Sequence, residues 1–549
     1  MASTAEKRKA AIAQADESLL AELGYKQEFQ RAFTPLEVFG IAFSIIGLLP
    51  SIASVLFYSI PNGGPVAMVW GWLVASIFIL FVGMSMAELA SAAPTSGGLY
   101  FWTHSLSSPK WRNLLAWIVG YANTIGSIAS VASIDWGAAV QVMAAASIGS
   151  NGNFVPTNAM TFGVYVGIVF SHAIVCCLGT RILARLQSVY VVLNVLLCFA
   201  VIVALPAATP KELKNSAKFA LGTFNKQVDW TSGFAFILSF LAPLWTICSF
   251  DSSVHISEEA SNAATAVPWA IVWAIGIAGI LGWAINVSLA FCMGTDLVGI
   301  MDSPVGQPMA QIFYNSFGQK GTLALWSFVV LVQYMMGSSM ARLLPPPSAR
   351  HQLSMLAASR QSFAFARDGA LPGSYYLYRM NAYTKTPVNT VWFTALFAGL
   401  LGLLVFAGTQ AINAVFAISV TALYIAYAIP IAARWIWRKD NGFVPGPFSL
   451  GVFSAPVAFI SVLWMVFMGI VFLFPTNASS DTADMNYTVV VLGGVMILSV
   501  VWYYFPKYGG VYWFTGPIPT IDSAGSEESI SDGSSKDEKQ GHAEVVPAQ

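Results

Sequence analysis

Charge is what this chain of 549 residues has least of: only 9% of its positions are Asp, Glu, Lys or Arg, against about a quarter in soluble proteins. Acids and bases balance at 26 each, so no net charge draws the chain to nucleic acid. Histidine is scarcer still. Its five scattered copies form no cluster with acids, which argues against a membrane enzyme such as an acyltransferase. The five cysteines, Cys176, Cys177, Cys198, Cys248 and Cys292, stand in apolar stretches and make no CxxC pair. They read as small packing residues rather than disulfides or metal ligands, and the pattern calls for no metal and no cofactor. The N-terminal stretch lacks the apolar core of a secretory signal peptide, so the first membrane helix is expected to serve as the insertion signal.

What the chain has instead is apolar length. Hydrophobic residues make up 56% of it, with 18 Trp and 19 Tyr available to anchor two membrane interfaces. Apolar runs recur near 36–59, 65–87, 114–145, 160–179, 187–205, 232–255, 267–292, 322–340, 388–407, 411–433, 452–474 and 487–505. Each approaches or exceeds the roughly 20 residues a helix needs to cross a bilayer, which predicts an all-α membrane protein of about twelve transmembrane helices. The third run is long enough to continue past the membrane. A charged, Ala-rich tail over 1–33 is expected to be partly helical, the transporter core to span 34–514, and the polar tail over 515–549 to be disordered.

Twelve spans put both termini on one side. With those termini in the cytosol, only Lys211, Lys214, Lys218, Lys226 and Lys320 among the Lys and Arg residues fall outside, which satisfies the positive-inside rule. Two glycosylation sequons, at Asn477 and Asn486, then lie in an outer loop.

A solute-selective site in lipid needs polar groups that are exposed without stranding backbone in hydrocarbon, and broken helices supply them. Two runs look broken. In the first, residues 42–51 read AFSIIGLLPS: Gly47 can leave helical geometry cheaply, and Pro50 suits the first turn of a restarting helix. In the sixth, residues 243–253 read PLWTICSFDSS, a polar cluster inside an apolar run, with Asp251 placed to cap a second half-helix. Spans one and six are equivalent members of two five-helix halves, as expected of a five-plus-five inverted repeat with a central site. N–H groups around Leu48 to Ser51, with Ser44 and Gly47 beside them, could hold a carboxylate. Carbonyls near Ile247, Cys248 and Ser249, with Asp251, could accept an ammonium, and Trp245 and Phe250 could close over the solute.

At these residues the chain resembles the amino acid–polyamine–organocation transporters, and within them the fungal GABA and choline permeases. The resemblance covers roughly residues 30–515. It rests on ELASAAPTSGGLY from Glu88 to Tyr100, on Ser249-Phe250-Asp251 followed by HISEEA from His255 to Ala260, and on SRQSFAFARDGALP from Ser359 to Pro372. It implies the five-plus-five fold with broken helices one and six, secondary active uptake of a small amine-bearing solute, and often coupling to protons. Two departures bear on solute contacts. Relatives often carry two glycines separated by one residue where this chain has Ser44-Ile45-Ile46-Gly47, and they often have Gly at Ser249.

One stretch fits neither the family nor a helix. Residues 341–355 read ARLLPPPSARHQLSM, and three consecutive prolines cannot continue a helix. Deleting them would join Met340 directly to Leu356. Two readings stand, a retained intron or over-extended gene prediction and a genuine cytosolic insert, and the transcript sequence separates them.

Charge inside a span is expensive and points to function. Asp135 in span three is a lone carboxylate in a long apolar run, readable as a proton relay, an ammonium counter-ion or a hydrogen-bonded structural group. Glu88, at the inner end of span two, reads as an interfacial or gate-bracing acid, and His172 in span four as a packing histidine more than a proton carrier. No Lys or Arg stands between Leu186 and Pro210, so a span-five cation replacing sodium is absent. Glu258, Glu259, Arg360 and Arg367 fall on the inner side and could form an ion-pair gate. The expectation is therefore a permease of the plasma or vacuolar membrane carrying GABA or a related amine, its partners being the solute and a coupling proton. Choline or polyamine transport by the same fold, and a non-transporting nutrient sensor, are the alternatives.

Overall fold

In hydrocarbon an unpaired backbone N–H or C=O costs several kcal/mol, so apolar runs of this length have to become helices. The computed structural model describes residues 4–24, 34–178, 182–337, 354–379, 387–478 and 485–518. Among them, nine helical stretches are long and apolar enough to cross a membrane: Pro35–Ser59, Gly64–Ala92, Arg112–Gly149, Asn158–Cys177, Tyr190–Ala208, Ala263–Cys292, Val388–Ala407, Thr409–Ile436 and Gly451–Val471. Two shorter apolar helical stretches, Ser232–Thr246 and Tyr487–Tyr503, occupy the places of spans six and twelve. Span eight falls in Pro308–Gly337, where Gly318, in a positive-φ, non-helical conformation (φ 66°, ψ −179°), separates a leading helix from the expected run. Span three, at 38 residues, extends about 57 Å, well past a bilayer core.

The halves repeat their packing. Span one packs on span seven, and span six on span two. Span three packs on span ten, and span eight on span five. Span seven packs on span five, and span two on span ten. Each pair maps onto its counterpart by a shift of five spans, the relation a five-plus-five repeat requires. The seam between spans two and seven is close because it is lined with small residues. Trp72 fills the surface of Gly282 and donates its Nε1–H to the Gly279 carbonyl at 3.0 Å.

Local signals set the ends. Thr34 and Glu37 form a reciprocal capping box that starts span one, a pattern legible as Thr-x-x-Glu. Outside the spans, a helix at Gly98–Leu106 follows span two, and a two-stranded ribbon pairs Asn62 with Lys226 and Gly63 with Asn225 at the opposite face. The N-terminal segment is helical over Thr4–Glu22, in keeping with the sequence expectation. It docks on span seven: Leu20 is buried, and Asp16 Oδ2 accepts from the Asn262 N–H at 2.8 Å. The anomalous segment 341–355 lies outside the described residues as far as 353, and a helix at Ser354–Arg367 resumes after it. Most of the C-terminal tail, from 519 on, also lies outside them.

Candidate functional site

Span one is broken at the residue the sequence singles out. The helix Pro35–Ile46 ends at Gly47, which adopts φ 47°, ψ 55°, and a second helix runs Leu48–Ser59. Leu48 and Leu49 head that second half, where amides lack an intrahelical acceptor, and Pro50 has no N–H. The Ser51 N–H bonds back to the Gly47 carbonyl at 2.9 Å. The hydroxyls of the candidate residues Ser44 and Ser51 are engaged within span one: Ser44 Oγ donates to Gly40 O at 2.5 Å and Ser51 Oγ to Ile46 O at 2.7 Å. At the break, Ser51 Oγ thus satisfies the Ile46 carbonyl, and the Ser44 carbonyl accepts from both the Gly47 N–H and Tyr190 Oη, the latter at 2.8 Å.

Span six unwinds between the helix Leu241–Thr246 and the short turn Ser252–His255. Among the described residues the Ile247 and Cys248 carbonyls accept no backbone hydrogen bond. Ser249 takes φ 59°, a left-handed conformation that favours glycine. That is the physical reason a glycine suits this position. Asp251 stands at the N-cap position, but its side chain makes no cap hydrogen bond, which corrects the capping expectation. The carboxylate turns sideways instead: Oδ1 accepts from Tyr427 Oη at 2.7 Å, and Oδ2 lies 3.4 Å from His255 Nε2. Trp245 donates its Nε1–H to Ser133 Oγ at 2.9 Å and packs on Phe416, while Phe250 packs on Tyr427. Ser44, Gly47, Ser51, Trp245, Ile247, Phe250 and Asp251 are all buried, whereas Cys248 and Ser249 are half-buried. The first half of span six packs against the second half of span one, which brings the two breaks together.

A cavity of about 730 Å³ opens from the face that carries Gln410 and Asn62. Its walls include Ser54, Trp136, Gly137 and Asn413, and it reaches Phe416, the ring that lies on Trp245. Phe416 thus links the cavity wall to Trp245, two residues before Ile247.

At the opposite face the three family motifs meet. Ser96 of the first motif donates its N–H to Glu258 Oε1 at 2.8 Å, and its carbonyl accepts from His255 Nδ1 at 3.0 Å, both of the second. Tyr100 donates to Asp368 Oδ2 of the third at 2.8 Å. Arg367 Nε lies 3.6 Å from Asp368 Oδ1. The side chains of Glu259 and Arg360 lie outside the described residues. Burial holds the Asp368 carboxyl above its ordinary range, against the opposing pull of Arg367 and the Tyr100 hydroxyl. Glu88 is fully engaged on the same face. Arg434 Nη1 donates to its Oε2 at 2.8 Å, Ser454 Oγ to Oε2 at 2.5 Å, and the Leu450 N–H to Oε1 at 2.8 Å.

Asp135 is wholly buried, and its Oδ1 lies 2.9 Å from His172 Nδ1. His172 Nε2 in turn meets the Tyr334 carbonyl at 3.0 Å, so the ring is held by polar partners on both sides. Sequence reading missed Tyr190, Tyr334, Met336, Phe416 and Tyr427. A tyrosine hydroxyl inside an apolar run has to find a partner, and that requirement was the available signal.

Residues 33–496 match the family profile described as amino acid permease. A GABA-specific permease of Saccharomyces cerevisiae is 37% identical over 94% of this chain and 88% of its own. An uncharacterized amino-acid permease of Schizosaccharomyces pombe is 39% identical over 92% of this chain and 88% of its own, and an amino-acid permease of Arabidopsis thaliana is 33% identical over 91% and 96%. With its helical spans and paired breaks, the chain belongs to the amino acid permease family and is an integral membrane transporter of small amino-acid-type solutes.

Proposed function

We propose that the protein is a proton-coupled importer of GABA or a closely related amino acid, with its solute held between the breaks in spans one and six. The observation that carries this reading is the pairing of opposite backbone charges. The positive end of the half-helix that starts at Leu48 suits a carboxylate, with the Leu49 N–H shared with the Cys198 thiol, and the Ile247 and Cys248 carbonyls suit an ammonium. A zwitterion needs both. Choline lacks the carboxylate and would leave the half-helix end in span one without a partner. The relative whose name specifies GABA supports the same choice.

The distribution of Lys and Arg supports cytosolic termini for a protein of the plasma or vacuolar membrane. The large cavity then opens away from the cytosol, and the cluster of Glu88, Glu258, Arg367 and Arg434 closes the cytosolic side. Glu259 and Arg360 belong to that gate by their place in the motifs.

Transport-deficient cells expressing the protein should take up labelled GABA in preference to choline, polyamines and bulky amino acids, and collapse of the proton gradient should suppress uptake. Ser249→Trp should abolish it while surface expression persists. Unchanged uptake by that variant sinks the site, and a correctly localised protein that moves no solute sinks the transport reading in favour of a sensor.

A further inference from the structure

The polar groups buried between spans three, four and eight stand apart from the solute contacts, yet their geometry fixes a protonation state. His172 Nε2 faces the Tyr334 carbonyl at 3.0 Å. A carbonyl oxygen only accepts, so Nε2 carries a hydrogen. A neutral ring then turns its Nδ1 lone pair toward Asp135 Oδ1, 2.9 Å away. Were Asp135 a bare carboxylate beside that neutral ring, two acceptors would stand face to face. The contact therefore contains a proton, as imidazolium with carboxylate or as imidazole with carboxylic acid, and in either form the pair is neutral as a unit.

Removing that proton would leave a negative charge inside the spans. The titratable neighbours are Tyr165 and Cys176 from span four and Tyr334 from span eight, whose ring lies 4.4 Å from that of His172. Among the described residues no Lys or Arg pairs with Asp135, and its Oδ2 has no hydrogen-bond partner. The next two residues of span three, Trp136 and Gly137, line the large cavity, so water there is close to the pair.

The turn of span eight that receives His172 also holds the break in span one. A methyl group on Gly337 would stand 2.5 Å from His172 Cε1 and 2.7 Å from Asp135 Oδ1. The neighbouring Met336 sets its sulfur 3.4 Å from Ser51 Oγ and directly over Gly47. Tyr334 to Gly337 thus touches both the proton-bearing pair and the solute break.

We propose that Asp135 and His172 together bind the coupling proton, that the pair is loaded in the state with the cavity open, and that its release frees Tyr334–Gly337 to let the Gly47 break rearrange. The proton enters from water in the cavity and leaves to water on the opposite face, with no covalent change in the protein. This rests on the symport reading above and assigns that coupling to a residue pair.

The test uses full-length protein in liposomes carrying an internal pH dye, with labelled GABA exchange measured in parallel. Asp135→Asn removes the titrating acid. His172→Gln can still donate to the Tyr334 carbonyl but cannot take up the proton. In both variants the ratio of protons to GABA moved should fall toward zero, and the pH dependence of transport should flatten. For a variant too slow to follow, the pH dependence of GABA binding, read by tryptophan fluorescence, should flatten in the same way. A wild-type ratio and pH profile in both variants overturns the pair while leaving symport intact. A wild-type protein that exchanges GABA without proton flux, or exchanges none, overturns the symport reading and this assignment with it.

Discussion

Gly47 turns span one through φ 47°, and a side chain there meets two obstacles. A left-handed residue other than glycine costs about 1–2 kcal/mol in backbone energy. A methyl group would also lie 2.5 Å from Met336 Sδ and 3.2 Å from Tyr190 Oη. Gly47→Ala should therefore cut uptake sharply at normal surface levels, and Met336→Ala in the same chain should recover part of it. An alanine variant with wild-type uptake would mean that the break is not needed in this form. Gly47 and the unwound stretch around Ser249 were legible in the sequence because glycine, proline and polar residues stand out in apolar runs. The direction of the Asp251 side chain was not, because its partner Tyr427 lies 176 positions away.

At the scale of elements, Glu88 ties the end of span two to span ten through Arg434 and to the 448–454 segment through Leu450 and Ser454. Removing one partner of a buried ion pair strands the other charge. Arg434→Ala should destabilise the protein by about 3–5 kcal/mol, read as a lowered thermal midpoint in detergent. An unchanged midpoint would make the pair dispensable. Asp368 joins the loop after span eight to Tyr100. Its pKa is raised in the fold, so the stability gained from its proton is full below the ordinary carboxyl value of 3.8 and is lost as pH rises through the raised value. The midpoint of Asp368→Asn relative to wild type should therefore shift in the variant's favour between pH 4 and pH 7, and a shift in wild type's favour contradicts the burial argument. The three motifs were readable as a sequence pattern. That they join one another through Ser96, His255, Glu258, Tyr100 and Asp368 was not readable, since each bond crosses more than a hundred residues.

For the whole molecule, hydropathy was enough to read an all-α membrane protein, because lipid leaves helices as the one way to satisfy so much apolar chain. The paired packing of spans one with seven and six with two carries the five-plus-five organisation, which no residue-level identity between the halves reveals. The leading helix before Gly318 escaped notice because its polar residues break the hydropathy of span eight. The state described has a cavity open at one face, reaching Phe416 where that ring lies on Trp245, and Glu88 bound to Arg434 at the other face. In the proposed mechanism, solute sits between the two breaks. Cys248 lies half-buried within the second break and offers a native probe. The most direct measurement is thiol labelling of a protein in which Cys176, Cys177, Cys198 and Cys292 are replaced, with and without a solute that the protein is shown to take up. Saturating solute should slow modification of Cys248 in proportion to its occupancy, whereas a labelling rate indifferent to a transported solute would contradict the site.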